Sequence, residues 1–332
     1  MDRARIHQLP KVELHCHLDG SVPMKFLKTL AREHGIEESI MDQAIAPADC
    51  ENLKDYLDCF DVILSVLQTK ESLTSATYAV VEAAAEENVQ YLELRFAPLL
   101  HQQKGLTAKQ VINAVSQGVI KAMQDYPIYV NILVCAMRYD TEEKNTQLYQ
   151  DVFDLQADHV VGIDVAGDEE QYPNESVQKA VTSAKNKGFQ ITMHSGECGC
   201  AHNVVTAMHF GAKRIGHGVA IENDLDVMKE VKARNVLLEL CPSSNIQTRA
   251  VKDWSVYPLR RFIDQGLAIS INTDNRTVSN TTLTDEFLQC VKHCQLTEQE
   301  MGMITQTAMH HAFAAQTLKK EILKTIAVAY KM

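Results

Sequence analysis

Residues 107–137 read TAKQVINAVSQGVIKAMQDYPIYVNILVCAM and combine two local patterns. From Thr107 to Gln124, apolar residues recur at three- and four-residue steps, which predicts an amphipathic helix. Its start, Thr107-Ala-Lys-Gln110, has the form of a capping box. The run Ile128–Met137 is short, apolar and rich in branched residues, which is typical of a buried strand. A helix followed by such a strand indicates a parallel βαβ unit.

The same alternation extends along the chain. Eight buried strands are predicted: Val12–Cys16, Val89–Ala97, Ile128–Met137, Val160–Ala166, Gln190–His194, Arg214–His217, Val236–Cys241 and Ala268–Asn272. Helical stretches separate most of them, and eight such units favour an α/β fold of the (β/α)₈ TIM barrel type. An open doubly wound sheet is the alternative, but it would leave two sheet edges. Neither its usual Gly-rich phosphate turn nor a P-loop is present.

Two segments depart from an even barrel. Between strands 1 and 2 lie two helical patterns, Phe26–His34 and Asn52–Gln68. An insertion at this point is on the side where barrel active sites form, so it is either a lid or a simple cap. After strand 8, further helices are predicted near Glu298–Ala315 and Leu318–Tyr330, as packing elements. Because no linker or repeat interrupts the chain, residues 1–332 are predicted to form one domain.

Composition narrows the classes of function. The net charge of -11 opposes binding to nucleic acid, because an acidic surface repels a phosphate backbone. The N-terminal residues lack the apolar core of a signal peptide, and no apolar run approaches the roughly 18–20 residues of a membrane span. The nine cysteines are expected to be reduced thiols, the Cys198-Gly-Cys200 pair included. We therefore predict a cytoplasmic protein without a membrane partner; the oligomeric state stays open.

Candidate metal ligands fall at predicted strand ends. In an extended segment, His15 and His17 point to the same face and can reach one ion. Such a pair is weak evidence alone, because an H-x-H arises by chance in about every second chain of this composition. His194 and Asp274 also follow strands, and strand ends meet at one face of a barrel. Three imidazoles and a carboxylate predict one catalytic zinc ion per chain.

Two further residues occupy the same predicted plane. Glu197 lies in a glycine-containing loop after His194, where a carboxyl in a water-poor pocket can hold a proton and act as a general acid. A surface glutamate is the alternative. His217 lies between two glycines at the end of strand 6. It is interpreted as a fifth ligand or a base beside the metal, with a purely structural histidine as the alternative.

Six ordered motifs resemble those of the adenosine deaminase family, within the superfamily of metal-dependent hydrolases, and they span nearly the whole chain. They are Lys11-Val-Glu-Leu-His-Cys-His-Leu-Asp-Gly20, Asp164-Val-Ala-Gly-Asp-Glu169, His194-Ser-Gly-Glu197, Arg214-Ile-Gly-His-Gly218, Cys241-Pro-Ser-Ser-Asn245 and Ser270-Ile-Asn-Thr-Asp-Asn275.

The resemblance implies a role for each matching position. His15, His17, His194 and Asp274 are similar to the family's zinc ligands, and His17 also borders the substrate. Glu197 is similar to the proton donor to purine N1, and His217 to the histidine that orients or deprotonates the attacking water. Asp19 is similar to the acid that holds a ribose hydroxyl, and Gly167 to the backbone donor to N3. Leu57 and Phe60 of the Asn52–Gln68 segment are similar to an apolar gate.

One position departs from the family pattern. Asn275 stands where the family usually has a second consecutive aspartate, whose partner is purine N7. Because N7 only accepts hydrogen bonds, an asparagine amide is a suitable donor at any pH. The change is chemically tolerable, but it leaves the exact purine preference open.

The predicted function is the hydrolysis of adenosine, and of 2′-deoxyadenosine, to inosine and ammonia in purine salvage. The ligand is thus a small purine nucleoside. The alternatives are a deaminase of adenine or of a modified adenosine, a related ester or amide hydrolase, and an inactive barrel that binds purine nucleosides. Asp19 favours a ribose partner, and the complete set of ligands and acid favours catalysis.

Overall fold

The computed structural model describes residues 1–47, 50 and 52–332. In this part of the chain eight parallel strands follow one another in sequence order, each paired with the next. The strands are β1 (Lys11–His17), β2 (Val89–Phe96), β3 (Tyr129–Met137), β4 (Val160–Ala166), β5 (Gln190–Ser195), β6 (Arg214–His217), β7 (Leu237–Leu240) and β8 (Ala268–Ile271). All eight predicted strands are present, and their ends differ from the predicted ends by no more than one residue.

The sheet closes between its first and last strands. Beyond β8, Asp274 forms a parallel bridge with Cys16 of β1. The Asp274 amide donates to the His15 carbonyl at 3.0 Å, and the His17 amide donates to the Asp274 carbonyl at 2.7 Å. The predicted (β/α)₈ barrel is therefore confirmed, and the open doubly wound sheet is wrong.

Helices surround the barrel. Those of the described residues are α1 (Arg3–Gln8), α2 (Met24–Glu33), α3 (Leu53–Asp58), α4 (Phe60–Val66), α5 (Lys70–Glu86), α6 (Ala108–Asp125), α7 (Glu142–Leu155), α8 (Gln178–Asn186), α9 (Ala201–Phe210), α10 (Leu225–Ala233), α11 (Pro242–Gln247), α12 (Leu259–Asp264), α13 (Leu283–Cys294), α14 (Glu298–His311) and α15 (Gln316–Tyr330).

Helix α6 forms as its sequence predicts. Thr107 is the N-cap, and its hydroxyl accepts from the Gln110 amide at 3.3 Å. The Gln110 side chain accepts from the Thr107 amide at 3.0 Å, which completes the capping box. Val111 and Val115, on the apolar face, are fully buried. Burial of this face fixes the helix against the barrel and leads the chain into β3.

The segment 52–68 contains two short helices where the sequence predicts one. Asn52 caps α3 by accepting from the Asp55 amide at 3.0 Å. The chain then tightens at Cys59, whose amide bonds the carbonyl of Tyr56, three residues back. Helix α4 continues directly afterwards. Side chains of both helices, including Leu57 and Phe60, face a cavity at the mouth of the barrel.

The first C-terminal helix is shorter than predicted. Helix α14 ends at His311, not near Ala315, because the following residues turn inward. The Phe313 amide donates to the buried Glu93 carboxylate at 2.5 Å, and its ring packs under the Arg214 guanidinium. These contacts compete with another helical turn. Helix α15 then runs to Tyr330, whose hydroxyl donates to the Pro10 carbonyl at 3.2 Å.

None of the helices in the described ranges is long and apolar enough to cross a membrane. One hydrophobic core extends from Ile6 to Tyr330. This continuity supports the assignment of residues 1–332 to one domain, which stays a prediction.

Candidate active site

The candidate site lies where the strands end. His15 and His17 lie at the end of β1, His194 lies in β5, and His217 ends β6. Asp274 follows β8 and reaches the same place through the closure of the barrel. The fold therefore brings together all five residues that the sequence singled out as candidate ligands.

The ligand atoms of these residues form a compact cluster. Ligand atoms of His15, His194, His217 and Asp274 all lie within 4.8 Å of one another. His17 Nε2 lies 3.3 Å from His15 Nε2 and 3.1 Å from His194 Nε2. Asp274 Oδ1 lies 3.2 Å from His15 Nε2 and 3.3 Å from His17 Nε2. Nitrogen lone pairs crowded this closely around a carboxylate are suited to sharing a cation, which makes the cluster a candidate metal centre.

Two of the imidazoles are oriented through their second nitrogen. His15 Nδ1 lies 2.9 Å from Glu239 Oε2, and His194 Nδ1 lies 3.1 Å from Asp164 Oδ1. A carboxylate accepts, so each Nδ1 carries the proton and each Nε2 offers its lone pair to the cluster. Buried carboxylates of this kind orient the ligand histidines of metalloenzymes and increase their basicity.

These carboxylates belong to a buried ionic network inside the barrel. Arg95 donates to Asp164 at 2.9 Å and to Glu239 at 2.8 Å, so that one guanidinium joins both histidine partners. Arg214 donates to the other oxygen of Glu239 at 2.7 Å and also to Glu93. All five side chains are fully buried. Burial opposes ionisation of both acids, but His194 and Arg95 hold the pKa of Asp164 below its usual range, and Arg95 and Arg214 do the same for Glu239.

The backbone is strained at two of the clustered residues. His217 has φ of 63° and Asp274 has φ of 62°, the left-handed region that residues with a Cβ rarely adopt. The bonds of Asp274 to His15 and His17 maintain this conformation. Next to His217, Gly216 leaves room for the cluster, since a Cβ there would lie 3.0 Å from His15 Cε1. Strain of this kind persists where surrounding contacts over-determine the chain.

Helix α11 supplies partners for two of the clustered side chains. The Ser244 hydroxyl donates to Asp274 Oδ2 at 2.7 Å. The Asn245 amide nitrogen lies 2.9 Å from His217 Nδ1, while its oxygen accepts from the Tyr257 hydroxyl at 3.1 Å. An amide nitrogen only donates, so with the side chain in this orientation His217 Nδ1 accepts. Burial lowers the pKa of His217, so the ring is neutral and its proton is on Nε2, unlike His15 and His194.

Glu197 lies beside the cluster in a protected position. It is 8% exposed, and its Oε2 lies 3.6 Å from His217 Nε2. Burial, together with the negative charges of Asp274 and Glu169, raises the pKa of Glu197 well above its usual range. The carboxyl therefore holds its proton near neutral pH, as a general acid must.

A single cavity of about 330 Å³ connects these groups. Apolar side chains of α3 and α4 line it on one side, including the predicted gate residues Leu57 and Phe60. Four polar groups predicted to meet substrate line it as well: His17, Asp19, Gly167 and Asn275. We call His15, His17, His194, His217 and Asp274 the donor cluster. The other site residues predicted from the sequence face the same cavity as this cluster.

Asp19 and Asn275 each present a polar atom without a hydrogen-bond partner. Asp19 Oδ1 and Asn275 Oδ1 are buried and unpaired within the chain. The other Asp19 oxygen lies 3.8 Å from His101 Nε2. Asn275 fits because residue 20 is glycine: a Cβ there would lie 1.9 Å from Asn275 Oδ1. Asp19 lines the cavity, and an unpaired buried carboxylate oxygen of such a residue is suited to binding a polar ligand.

Several residues that contact the cluster, or contact one of its partners, carry no role in the sequence interpretation. Arg95, Glu239, Asn245 and Ser244 contact the clustered side chains directly or through one partner. One signal was available for the first two, because they interrupt otherwise apolar strands. A charge in a strand that is buried on both faces requires a partner inside the barrel. Nothing local to the sequence identifies which partner that is.

The fold and the site define a class of protein: a barrel enzyme with a candidate metal centre and a buried acid. Residues 10–329 match the sequence profile of the family described as adenosine deaminase, and the chain belongs to that family.

Individual relatives agree with this assignment. An adenosine deaminase of Enterococcus faecalis is 41% identical over 99% of both chains. The structure is similar to that of an adenine deaminase from Arthrobacter aurescens, with a TM-score of 0.91, 25% identity and coverage of 98% of this chain and 100% of the other. It is also similar to that of a zinc-bound amidohydrolase from Burkhoderia ambifaria, with a TM-score of 0.91, 25% identity and coverage of 99% and 93%.

The ionic network generates a prediction about stability. Arg95→Met should lower the free energy of unfolding by about 3–5 kcal/mol, because Asp164 and Glu239 would lose their shared counter-charge while remaining buried. The matched control is Arg3→Met, which removes an exposed ion pair with Asp285 and should cost no more than about 1 kcal/mol. Urea unfolding of both variants after removal of metal measures the difference. Equal losses would contradict the role given to Arg95.

Proposed function

We propose that this chain catalyses the hydrolytic deamination of adenosine, and of 2′-deoxyadenosine, to inosine and ammonia. The observation that carries the proposal is the meeting, in one cavity, of the donor cluster with the protonated Glu197 carboxyl. A metal site and a general acid on one face of a purine-sized cavity provide the two groups that this reaction needs. Salvage of purines in a cytoplasm is the setting that we infer.

We infer one zinc ion per chain, held by His15, His17, His194 and Asp274. The donor–donor distances of 3.1–3.3 Å among these residues are short enough for the four groups to share one ion. His217 suits a different role, because a neutral ring that accepts at Nδ1 has no free lone pair at Nε2.

When bound, the zinc ion supplies Lewis acidity and lowers the pKa of a water molecule. The side chains then do the following. Glu197 gives its proton to purine N1, which makes C6 electrophilic. His217 and Asp274 orient the attacking water toward C6, and Ser244 keeps the Asp274 carboxylate in place. Water adds at C6 and ammonia leaves; one proton of the water leaves with the ammonia and the other restores the Glu197 carboxyl, so that adenosine and water become inosine and ammonia.

The cavity favours a nucleoside over a nucleotide. Among the described residues that line it there is neither a lysine nor an arginine, whereas the acids include Asp19, Asp61 and Asp274. A 5′-phosphate would meet repulsion there and find no cation to pair with it. Asp19 is suited to accept a hydrogen bond from a ribose hydroxyl, since one of its oxygens is buried without a partner. A free base would leave that oxygen unsatisfied.

Gly167 and Asn275 are proposed to read the purine ring. Both line the cavity, and the Gly167 amide is a candidate donor to N3. The Asn275 amide is a candidate donor to N7. Asparagine fills this role without needing to be protonated, in contrast to the aspartate of the family pattern.

The role of Glu197 leads to a first test of function. Glu197→Gln should retain the metal but lose most turnover, because an amide cannot deliver a proton to N1. Zinc content by elemental analysis and adenosine turnover by ultraviolet absorbance measure the two effects separately. A fully active variant would remove Glu197 from the reaction. A wild-type protein that binds adenosine but releases no ammonia would favour the inactive purine-binding barrel.

The division of roles between two histidines is testable by metal content. His17→Ala should lower zinc content together with turnover, whereas His217→Ala should lower turnover and leave zinc close to one per chain. This difference in zinc content is expected because His17 places its Nε2 among the ligand atoms, whereas His217 accepts at Nδ1 and carries its proton on Nε2. Dialysis against a graded zinc buffer compares the two variants with wild type. Loss of zinc only in His217→Ala would reverse the assignment.

The contact with N7 can be tested with a matched substrate. Asn275→Ala should reduce kcat/KM for adenosine by the equivalent of one hydrogen bond, about 1–2 kcal/mol. The same substitution should change little for 7-deazaadenosine, which has no N7 acceptor. Measuring kcat/KM of wild type and Asn275→Ala with each substrate gives a double-mutant-type cycle, in which one change is made in the enzyme and the other in the substrate. An equal loss for the two substrates would mean that Asn275 does not contact N7.

A further inference from the structure

Glu169 lies close to the proton donor, and its negative charge helps to raise the pKa of Glu197. Its hydrogen bonds point to a second role. It follows β4, in the same loop as Gly167, and is 3% exposed. Its carboxylate accepts from three consecutive backbone amides of the loop after β5. The distances are 2.9 Å from Gly196, 2.5 Å from Glu197 and 2.7 Å from Cys198.

A fourth donor completes the surroundings of this carboxylate. Asn203 of α9 donates from its side chain to Glu169 Oε2 at 3.0 Å. The Glu197 and Cys198 amides point to Oε1, and the Gly196 amide and Asn203 point to Oε2. Every partner donates, so only a group with two accepting oxygens satisfies all of them.

The start of the same loop is held from the opposite direction. The buried Arg138 guanidinium donates to the His194 carbonyl and, at 2.7 Å, to Asn174 Oδ1. Asn174 in turn donates to the Ser195 hydroxyl at 3.1 Å. Residues 194–198 are therefore bonded at nearly every position, and Glu169 provides the bonds nearest to the Glu197 side chain.

We propose that Glu169 is a positioning residue that joins the loop after β4 to the loop after β5 and thereby fixes the Glu197 carboxyl relative to Gly167. The inference rests on the proposed function, in which Glu197 acts at N1 and Gly167 at N3. These two atoms have a fixed separation in the rigid purine ring. A carboxylate that ties their two partners together keeps that separation in the protein before substrate arrives, which is the condition for efficient proton transfer.

The test is Glu169→Gln, with Glu170→Gln as its matched control. Glu170 is the next residue, its side chain is exposed, and it does not line the cavity. A glutamine at 169 keeps one accepting oxygen but presents an amide to two amide donors, so the loop must shift. Displacing a reacting group by about 1 Å costs on the order of 10²-fold in rate. We expect kcat for adenosine to fall by on the order of 10²-fold, with a much smaller change in KM, and Glu170→Gln to match wild type.

A second readout separates positioning from a general loss of structure. The inhibition constant of 1-deazaadenosine, which lacks N1, should be unchanged in Glu169→Gln, because this ligand makes no use of the Glu197 proton. Asn203→Ala is a milder variant for the case that Glu169→Gln does not fold. It should lower kcat by about fivefold, the equivalent of one hydrogen bond, and also leave the inhibition constant unchanged.

Two results would overturn the inference. One is a kcat for Glu169→Gln within about twofold of that for Glu170→Gln. The other is a weakening of 1-deazaadenosine binding as large as the fall in kcat, which would mean that the whole pocket has changed. Either result leaves wild-type deamination of adenosine intact. Failure of the proposed function would instead appear as a wild-type protein that does not turn over adenosine.

Discussion

The ionic network around Arg95 is the constraint on which the rest of the site depends. A fully buried guanidinium must be neutralised, and Asp164 and Glu239 do so from two different strands. The same two carboxylates hold His194 and His15 in the tautomer that turns each Nε2 into the cluster. One charge below the site therefore sets the orientation of two of its imidazoles, and it links β2, β4 and β7 inside the barrel.

Above this network, the site is divided between two kinds of chemistry. Asp274, strained at its backbone and held by Ser244, belongs to the candidate metal centre. Glu197, which burial keeps protonated, is the proposed general acid and lies a short distance away. In each case a buried polar partner forms a hydrogen bond with the residue: Ser244 donates to Asp274, and Glu169 accepts from the backbone amide of Glu197. A low-dielectric interior makes such bonds strong and their loss costly, so the geometry is preserved without substrate.

Much of the fold could be predicted because its signals are local. Alternation of buried strands with amphipathic helices depends on residues a few positions apart, and the Thr107 capping box lies within a single turn. Errors arose where distant contacts intervened. Helix α14 ends at His311 because the Phe313 amide donates a hydrogen bond to the buried Glu93 carboxylate of β2. The short turn at Cys59 divides residues 52–68 into α3 and α4, and no pattern in the sequence predicts it.

The sequence by itself determined the barrel, the strand-end placement of the histidines and Asp274, and the substitution of Asn275 into the family pattern. Period and position suffice for these, because parallel strands end on one face of a barrel. Only the tertiary structure decided which nitrogen of each imidazole is free. His15 and His217 look alike in sequence, at strand ends, yet the first donates from Nδ1 to Glu239 and the second accepts there from Asn245. The difference lies in partners 224 and 28 residues away, and no local pattern specifies them.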